Sequence, residues 1–188
     1  MDCSECEFVG ESETTIDIIP NFTEKTIHLI SGDVGPFEAG IATGVPLWLA
    51  ISLKEQHKCR IVPPDWLKVA RLEEMVAQEK ESQLFTQVPS HFMTVAHVLF
   101  RKAADDIPGC NQIKVLLKDL WDQRSVKLNN SIKDFLQSGA SHAMINELTQ
   151  FEIGVCRNFL VAALDQLDKI RTDTEEASQH RTTRSQIR

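Results

Sequence analysis

Cys3 and Cys6 are separated by two residues, the spacing at which a pair of thiolates can share one tetrahedral metal ion. A second pair would have to complete the site. His57 and Cys59 are the nearest source, but Lys54, Lys58 and Arg60 surround them and oppose a bound cation. Two exposed thiols on a mobile N-terminus and a solvated turn at His57 are therefore the expected arrangement. The carboxylates offer no better constellation. Glu73-Glu74 and Asp105-Asp106 are neighbours in sequence, so their side chains diverge where a general acid and base must converge. Asp105-Asp106, just before Ile107-Pro108, reads as a helix end and loop. His97, beside an apolar helix face, reads as a packed histidine. Lys114 and Lys118 lie one helical turn apart, with Arg124 and Lys127 beyond them. Such a stripe either meets an acidic partner or alternates with Asp119 and Asp122 as a solvated face. Neither a G-x-x-x-x-G-K-[ST] loop nor a G-x-G-x-x-G turn opening a helix is present, so nucleotide chemistry has no cradle. No residue is assigned to catalysis, to a cofactor or to a metal.

Composition narrows the classes further. The 188 residues are 42% apolar and 25% charged, ordinary for a chain that buries a core. Twenty-seven acidic against twenty basic side chains give a net charge of −7. That excess opposes independent binding to a polyanion, while leaving room for membership of a DNA-handling assembly. Apolar runs fall well short of the roughly 20 residues of a membrane helix, so no membrane association is expected. The acidic start lacks the order of a signal peptide. The five scattered cysteines read as free thiols in a reducing compartment.

The elements that must position these residues divide at Pro63-Pro64. Residues 1–62 carry ten acidic and four basic side chains and most of the turn-forming glycines, whereas residues 63–172 are nearly balanced. An α+β chain is expected: a small β-rich domain over 1–62, an all-α helical domain over 63–172, and a flexible polar tail over 173–188. Thr14 to Ile19 and Lys25 to Ile30 alternate as two antiparallel strands around the turn at Pro20 to Glu24. Val45 to Leu53 fits either period; a short helix through Gln56 is favoured, then a strand at Cys59 to Val62. Helices follow over Asp65 to Ser82, after a Ser90 cap with the face Phe92, Val95, Ala96, Leu99, Phe100 and Ala103, and from Ile113 to Phe135 with Gly139 as its stop. A short helical turn at His142 to Leu148 precedes a last helix, opened by the capping-box spacing of Thr149 and Glu152 and running to about Arg171.

That last helix is unusual. At 100° per residue its apolar side chains spread over roughly 200°, about twice the stripe needed to cover one core. It asks for packing on two sides, from its own bundle or from a partner subunit. The candidate partner-facing residues on the apolar helix faces are Phe92, Leu99, Leu116, Leu120, Trp121, Phe159, Ala163, Leu164 and Leu167.

Five segments occur in a diagnostic order: Ile19-Pro20-Asn21-Phe22, Gly32 to Phe37 (GDVGPF), Val45 to Ile51 (VPLWLAI), Cys59 to Leu67 (CRIVPPDWL) and Leu117 to Arg124 (LKDLWDQR). Through about residue 171 the chain resembles subunits of the GINS complex of the eukaryotic replication fork. Ser31, where a glycine is familiar, and His91-Phe92, where tyrosines are, depart from the pattern. The resemblance implies a β-rich domain joined to a helical one, with the β-rich part first in this branch. It implies a heterotetramer with three related subunits, paired through the helical domains. It further implies a nuclear, non-catalytic scaffold without a cofactor. That tetramer joins the MCM motor ring and a Cdc-named co-activator in the replicative helicase, and DNA is reached only through the assembly. Two other classes fit the residues alone: a zinc or redox protein using Cys3 and Cys6, and a free-standing helical adaptor.

Overall fold

The computed structural model describes residues 3–30, 32–138, 146–157, 160–166 and 169. The chain divides between Phe151 and Glu152 into two compact units. The first opens with a helix, α1 (Cys3–Glu13), followed by strand β1 (Thr15–Pro20), where Ile16 and Ile18 alternate inward with exposed Thr15 and Asp17. β1 is the centre of a three-stranded antiparallel sheet. On one side it pairs with β4 (Thr43–Pro46), with Ile16 opposite Val45; on the other it pairs with β5 (Cys59–Ile61), with Ile18 opposite Ile61.

The hairpin expected between residues 14 and 30 does not form. Both edges of β1 are already taken, and β2 (Ile27–Leu29) pairs instead with β3 (Gly32–Val34) in a separate ribbon. The segment between β1 and β2 carries Phe22 to the ring of fully buried Phe37, at 5.4 Å between centroids. Gly35 makes that approach possible. Its φ is +103°, and a Cβ there would stand 3.1 Å from the Phe37 ring.

Val45 to Leu53 proves to be both elements in succession. Val45 lies in β4, and Pro46, its last residue, extended at φ −58° and ψ 143°, is also the N-cap of α2 (Leu47–Glu55). The helix starts where the proline has no N–H to lose. Pro63-Pro64 then leads into a 3₁₀ turn (Asp65–Leu67), and extended Lys68 separates it from α3 (Val69–Glu81), so the single helix expected from Asp65 is broken once. Helix α4 (Phe92–Lys102) is capped by His91, one residue after the expected Ser90, without a side-chain cap bond. A 3₁₀ turn (Ala104–Asp106) connects it to the 29-residue α5 (Cys110–Ser138). Of the short helix expected over His142 to Leu148, residues 142–145 lie outside the described residues and 146–148 are not helical. The expected stop at Gly139 and the tail over 173–188 also lie outside them. In the second unit, helix begun at Gln150 continues through the described residues to 157, and over 160–166 and at 169.

One buried cluster runs through the first unit on both sides of Pro63-Pro64, from Ile18, Val45 and Ile61 to Leu72, Leu99 and Leu120. The proline seam separates composition, not cores. α1 corrects the expectation of a mobile N-terminus: it lies against α2 and α4, with Gly10 so close that a Cβ would meet the Thr94 methyl at 3.0 Å. Glu7 faces His97 at 3.7 Å and Arg101 at 3.6 Å, and Glu13 bonds His91 at 3.1 Å.

Candidate functional site

The helical part is pinned by charge as well as by apolar packing. Glu79 on α3 and Arg124 on α5 are both essentially without solvent contact, and Arg124 Nη1 reaches Glu79 Oε2 at 3.1 Å. The same guanidinium donates to the carbonyls of Thr86 (2.9 Å) and Glu147 (2.8 Å) and lies 5.2 Å from the centroid of the Phe85 ring. Lys127 Nζ takes the other carboxylate oxygen at 2.7 Å and also bonds the Leu84 carbonyl. The Thr86 hydroxyl and its N–H both donate to Glu79 Oε2. Lone pairs and protons that burial strips of water are thus re-satisfied, the condition under which a buried charge is tolerable. The network ties the α3–α4 connection and residue 147 to the middle of α5.

Burial alone would raise the Glu79 carboxyl, but hydrogen bonds from Lys127 and Thr86, with the Arg124 charge, outweigh it and hold the group below its ordinary value. A carboxylate depressed in the folded state stabilises the fold above its unfolded pKa, and that contribution is lost as pH falls through the folded value. The stability difference between the native chain and Glu79→Gln should accordingly be greatest near neutrality and shrink below a pH of about 4. Urea unfolding at a series of pH values checks this; a difference that stays constant into acid would exclude the linkage.

A second polar pin joins the sheet to the helices. Asp106, 8% exposed, accepts the Ile61 N–H at 2.9 Å and meets Lys54 Nζ at 2.7 Å, with Arg60 Nε at 3.9 Å. Its neighbour Asp105 is exposed. The adjacent pair thus splits into one solvated carboxylate and one buried tie between the α4–α5 connection, β5 and α2.

The surface of this unit carries a cleft of about 240 Å³ between α4 and α5, lined in part by Met93, Ala96, Phe100, Leu117 and Trp121. A smaller hollow with Glu7, Thr94 and Phe151 adjoins it, sharing Met93 and His97. Trp121 is half-buried, its ring tilted against Phe151 at 5.4 Å between centroids.

The sequence candidates separate into three groups. Phe92, Leu99 and Leu120 are buried in the chain's own core, with no surface left to present. Leu116, Trp121, Ala163 and Leu164 are partly or substantially exposed. Phe159 and Leu167 lie outside the described residues. The final helix also exposes Ile153, Val155 and Val161. Over the described stretch 160–166, Val161 and Leu164 are three residues apart, about 60° on a helix, and both face water.

Cysteine chemistry finds little purchase. Cys6 and Cys59 are buried, and burial, the largest influence on Cys59, pushes its thiol up, away from the reactive thiolate. The Cys3 side chain lies outside the described residues. His57 does sit at an exposed turn, with φ +56°. Among the described residues, no three or more His, Cys, Asp and Glu side chains gather to hold a metal ion, and no helix is long and apolar enough to cross a membrane.

A small sheet sharing one core with helices, exposed apolar side chains and polar ties spent on holding elements together define a protein built around its surfaces. The comparisons agree in kind: the family model described as the GINS complex protein helical bundle domain matches residues 66–171. The PSF2 N-terminal domain model matches residues 2–62. The chain belongs to the PSF2 family of GINS complex proteins. It is 43% identical over 176 residues to the human DNA replication complex GINS protein PSF2, covering 93% of this chain and 95% of the human one. A probable PSF2 of Drosophila melanogaster is 43% identical over 183 residues, covering 97% of this chain and 89% of its own. The Schizosaccharomyces pombe protein is 30% identical over 172 residues, 92% of each chain.

Proposed function

We propose that the chain is a non-catalytic structural subunit of a GINS-type heterotetramer acting in DNA replication in the nucleus. Its three partners are related GINS subunits. Through them it joins the MCM motor ring and the Cdc-named co-activator of the replicative helicase, meeting DNA only as part of that assembly. Residues 63–172 serve as the assembly domain and residues 1–62 as the β-rich domain. The observation that carries the reading is the large apolar side chains near the end of the chain, Ile153, Val161 and Leu164, exposed to water on a chain whose relatives bear the names of replication-complex proteins. Exposed apolar surface of that kind marks interaction sites. Leu164 and Ala163 are proposed as subunit contacts, together with Phe159 and Leu167, which lie outside the described residues.

Expressed alone, the chain should self-associate; co-expressed with the three related subunits, it should give a soluble complex with one copy of each. Size-exclusion chromatography with mass determination reads both outcomes. A stable monomer with a sharp unfolding transition that ignores the other subunits would remove the interface.

A further inference from the structure

The α4–α5 cleft stands apart from the polar pins, and its chemistry differs from theirs. Ala96 and Leu117, each nearly without solvent exposure, form an apolar floor, and Met93, Phe100 and Trp121 stand around it. Its volume, about 240 Å³, is below the roughly 300–1,000 Å³ of small-molecule pockets and suits one or two large side chains. One edge is basic. Lys114 and Lys118 line the cleft from α5, and neither forms an ion pair among the described residues. On a chain of net charge −7, a pair of unneutralised lysines beside an apolar cleft is a local reversal of field, which selects a partner of negative charge.

We propose that this cleft is a docking groove for a short acidic amphipathic helix from a protein outside the tetramer. An aromatic or leucine anchor of that helix enters between Phe100 and Trp121, and its flanking Asp or Glu side chains meet Lys114 and Lys118. This is the helix-in-groove mode, in which side chains one turn apart supply the anchors. Single-stranded nucleic acid would also seek lysines beside aromatic rings, but it needs free ring faces on which bases stack. Here Lys114 Nζ lies over the Phe100 ring at 5.3 Å, and the Trp121 ring is tilted onto Phe151. The rings are arranged to wall a cleft rather than to offer a platform. The proposal rests on the chain's role as a scaffold subunit, and adds a ligand for the scaffold to carry.

The test uses the co-expressed complex, immobilised, and a displayed library of helix-forming peptides of roughly 14 residues, about four turns. Selection should enrich sequences with an aromatic or Leu anchor beside Asp or Glu. Binding of a selected peptide should weaken about tenfold or more with Lys114→Glu/Lys118→Glu, and similarly with Trp121→Ala. Both lysines are exposed, so the charge reversal leaves the fold intact, and Lys114→Gln/Lys118→Gln should give an intermediate loss. Enrichment without acidic residues, binding indifferent to these substitutions, or displacement of the peptide only by single-stranded oligonucleotide would each overturn the groove. Assembly is read separately by size exclusion. A complex that forms normally and selects no such peptide therefore refutes the groove while leaving the subunit reading intact.

Discussion

Arg124→Ala should destabilise the chain by about 3–5 kcal/mol, the usual consequence of removing one partner from a buried, hydrogen-bonded ion pair. Arg124 is 1% exposed and its guanidinium serves, among others, the Glu79 carboxylate and the carbonyls of Thr86 and Glu147. Truncation strands these groups. Lys127 still neutralises part of the Glu79 charge at 2.7 Å, which argues for the lower half of the range. Arg124→Lys should recover little, because an ammonium cannot reproduce a fork that spans a carboxylate and two carbonyls. Removing both charges together, as Glu79→Gln/Arg124→Met, should cost less than the sum of the single changes, since neither member of the fully buried pair is left charged without the other; Lys127, 18% exposed, loses its counter-charge but can turn toward water. Urea unfolding followed by far-ultraviolet circular dichroism gives each value, the denaturant also suppressing self-association. An Arg124→Ala loss below about 1 kcal/mol would show that the network is decoration on an apolar core.

That network also marks the limit of what could be read from the chain. Helical period exposed α4 and α5 directly, because their apolar residues recur every three or four positions and the structure buries those same faces. The period could not distinguish a core face from a partner face. Phe92, Leu99 and Leu120 satisfy both descriptions, and only packing against the rest of the fold assigns them to the core. Strand partners were less legible still. Thr14 to Ile19 and Lys25 to Ile30 are adjacent in sequence and both suited to strands. Yet β1 reaches across to residues 43–46 and 59–61, a choice made by tertiary contacts that no local pattern encodes. Glu79 and Arg124 stood in the sequence among other charges on polar-looking helix segments, 45 residues apart. The segment Leu117 to Arg124 carried part of the family resemblance, but nothing in it announced that its arginine is buried. Asp106 was read as a loop marker beside Asp105, since adjacent identical residues look equivalent until burial separates them.

Asp106→Ala should be the second large effect, about 2–4 kcal/mol, and its character should differ from that of Arg124→Ala. The carboxylate lies between the α4–α5 connection, the backbone of β5 and the side chain of Lys54 on α2. Removing it leaves the Ile61 N–H without its acceptor and Lys54, 19% exposed, without its counter-charge. Lys54 can turn toward water more readily than the Ile61 N–H can, so most of the loss belongs to the backbone donor. Asp106→Asn separates the two contributions: its amide oxygen can still accept from Ile61, whereas the ion pair is gone. Asparagine should therefore restore more than half of the lost stability. The location of the weakness should also be specific. The buried cluster is continuous across Pro63-Pro64, so the sheet is held to the helices by apolar contact as well as by Asp106, and loosening should appear first where both meet. Hydrogen exchange should accelerate at the Ile61 amide and along β5 in Asp106→Ala before it accelerates in α5, whereas Arg124→Ala should show the reverse order. Equal acceleration throughout both variants would mean that the two pins report on a single cooperative unit and that neither joins particular elements.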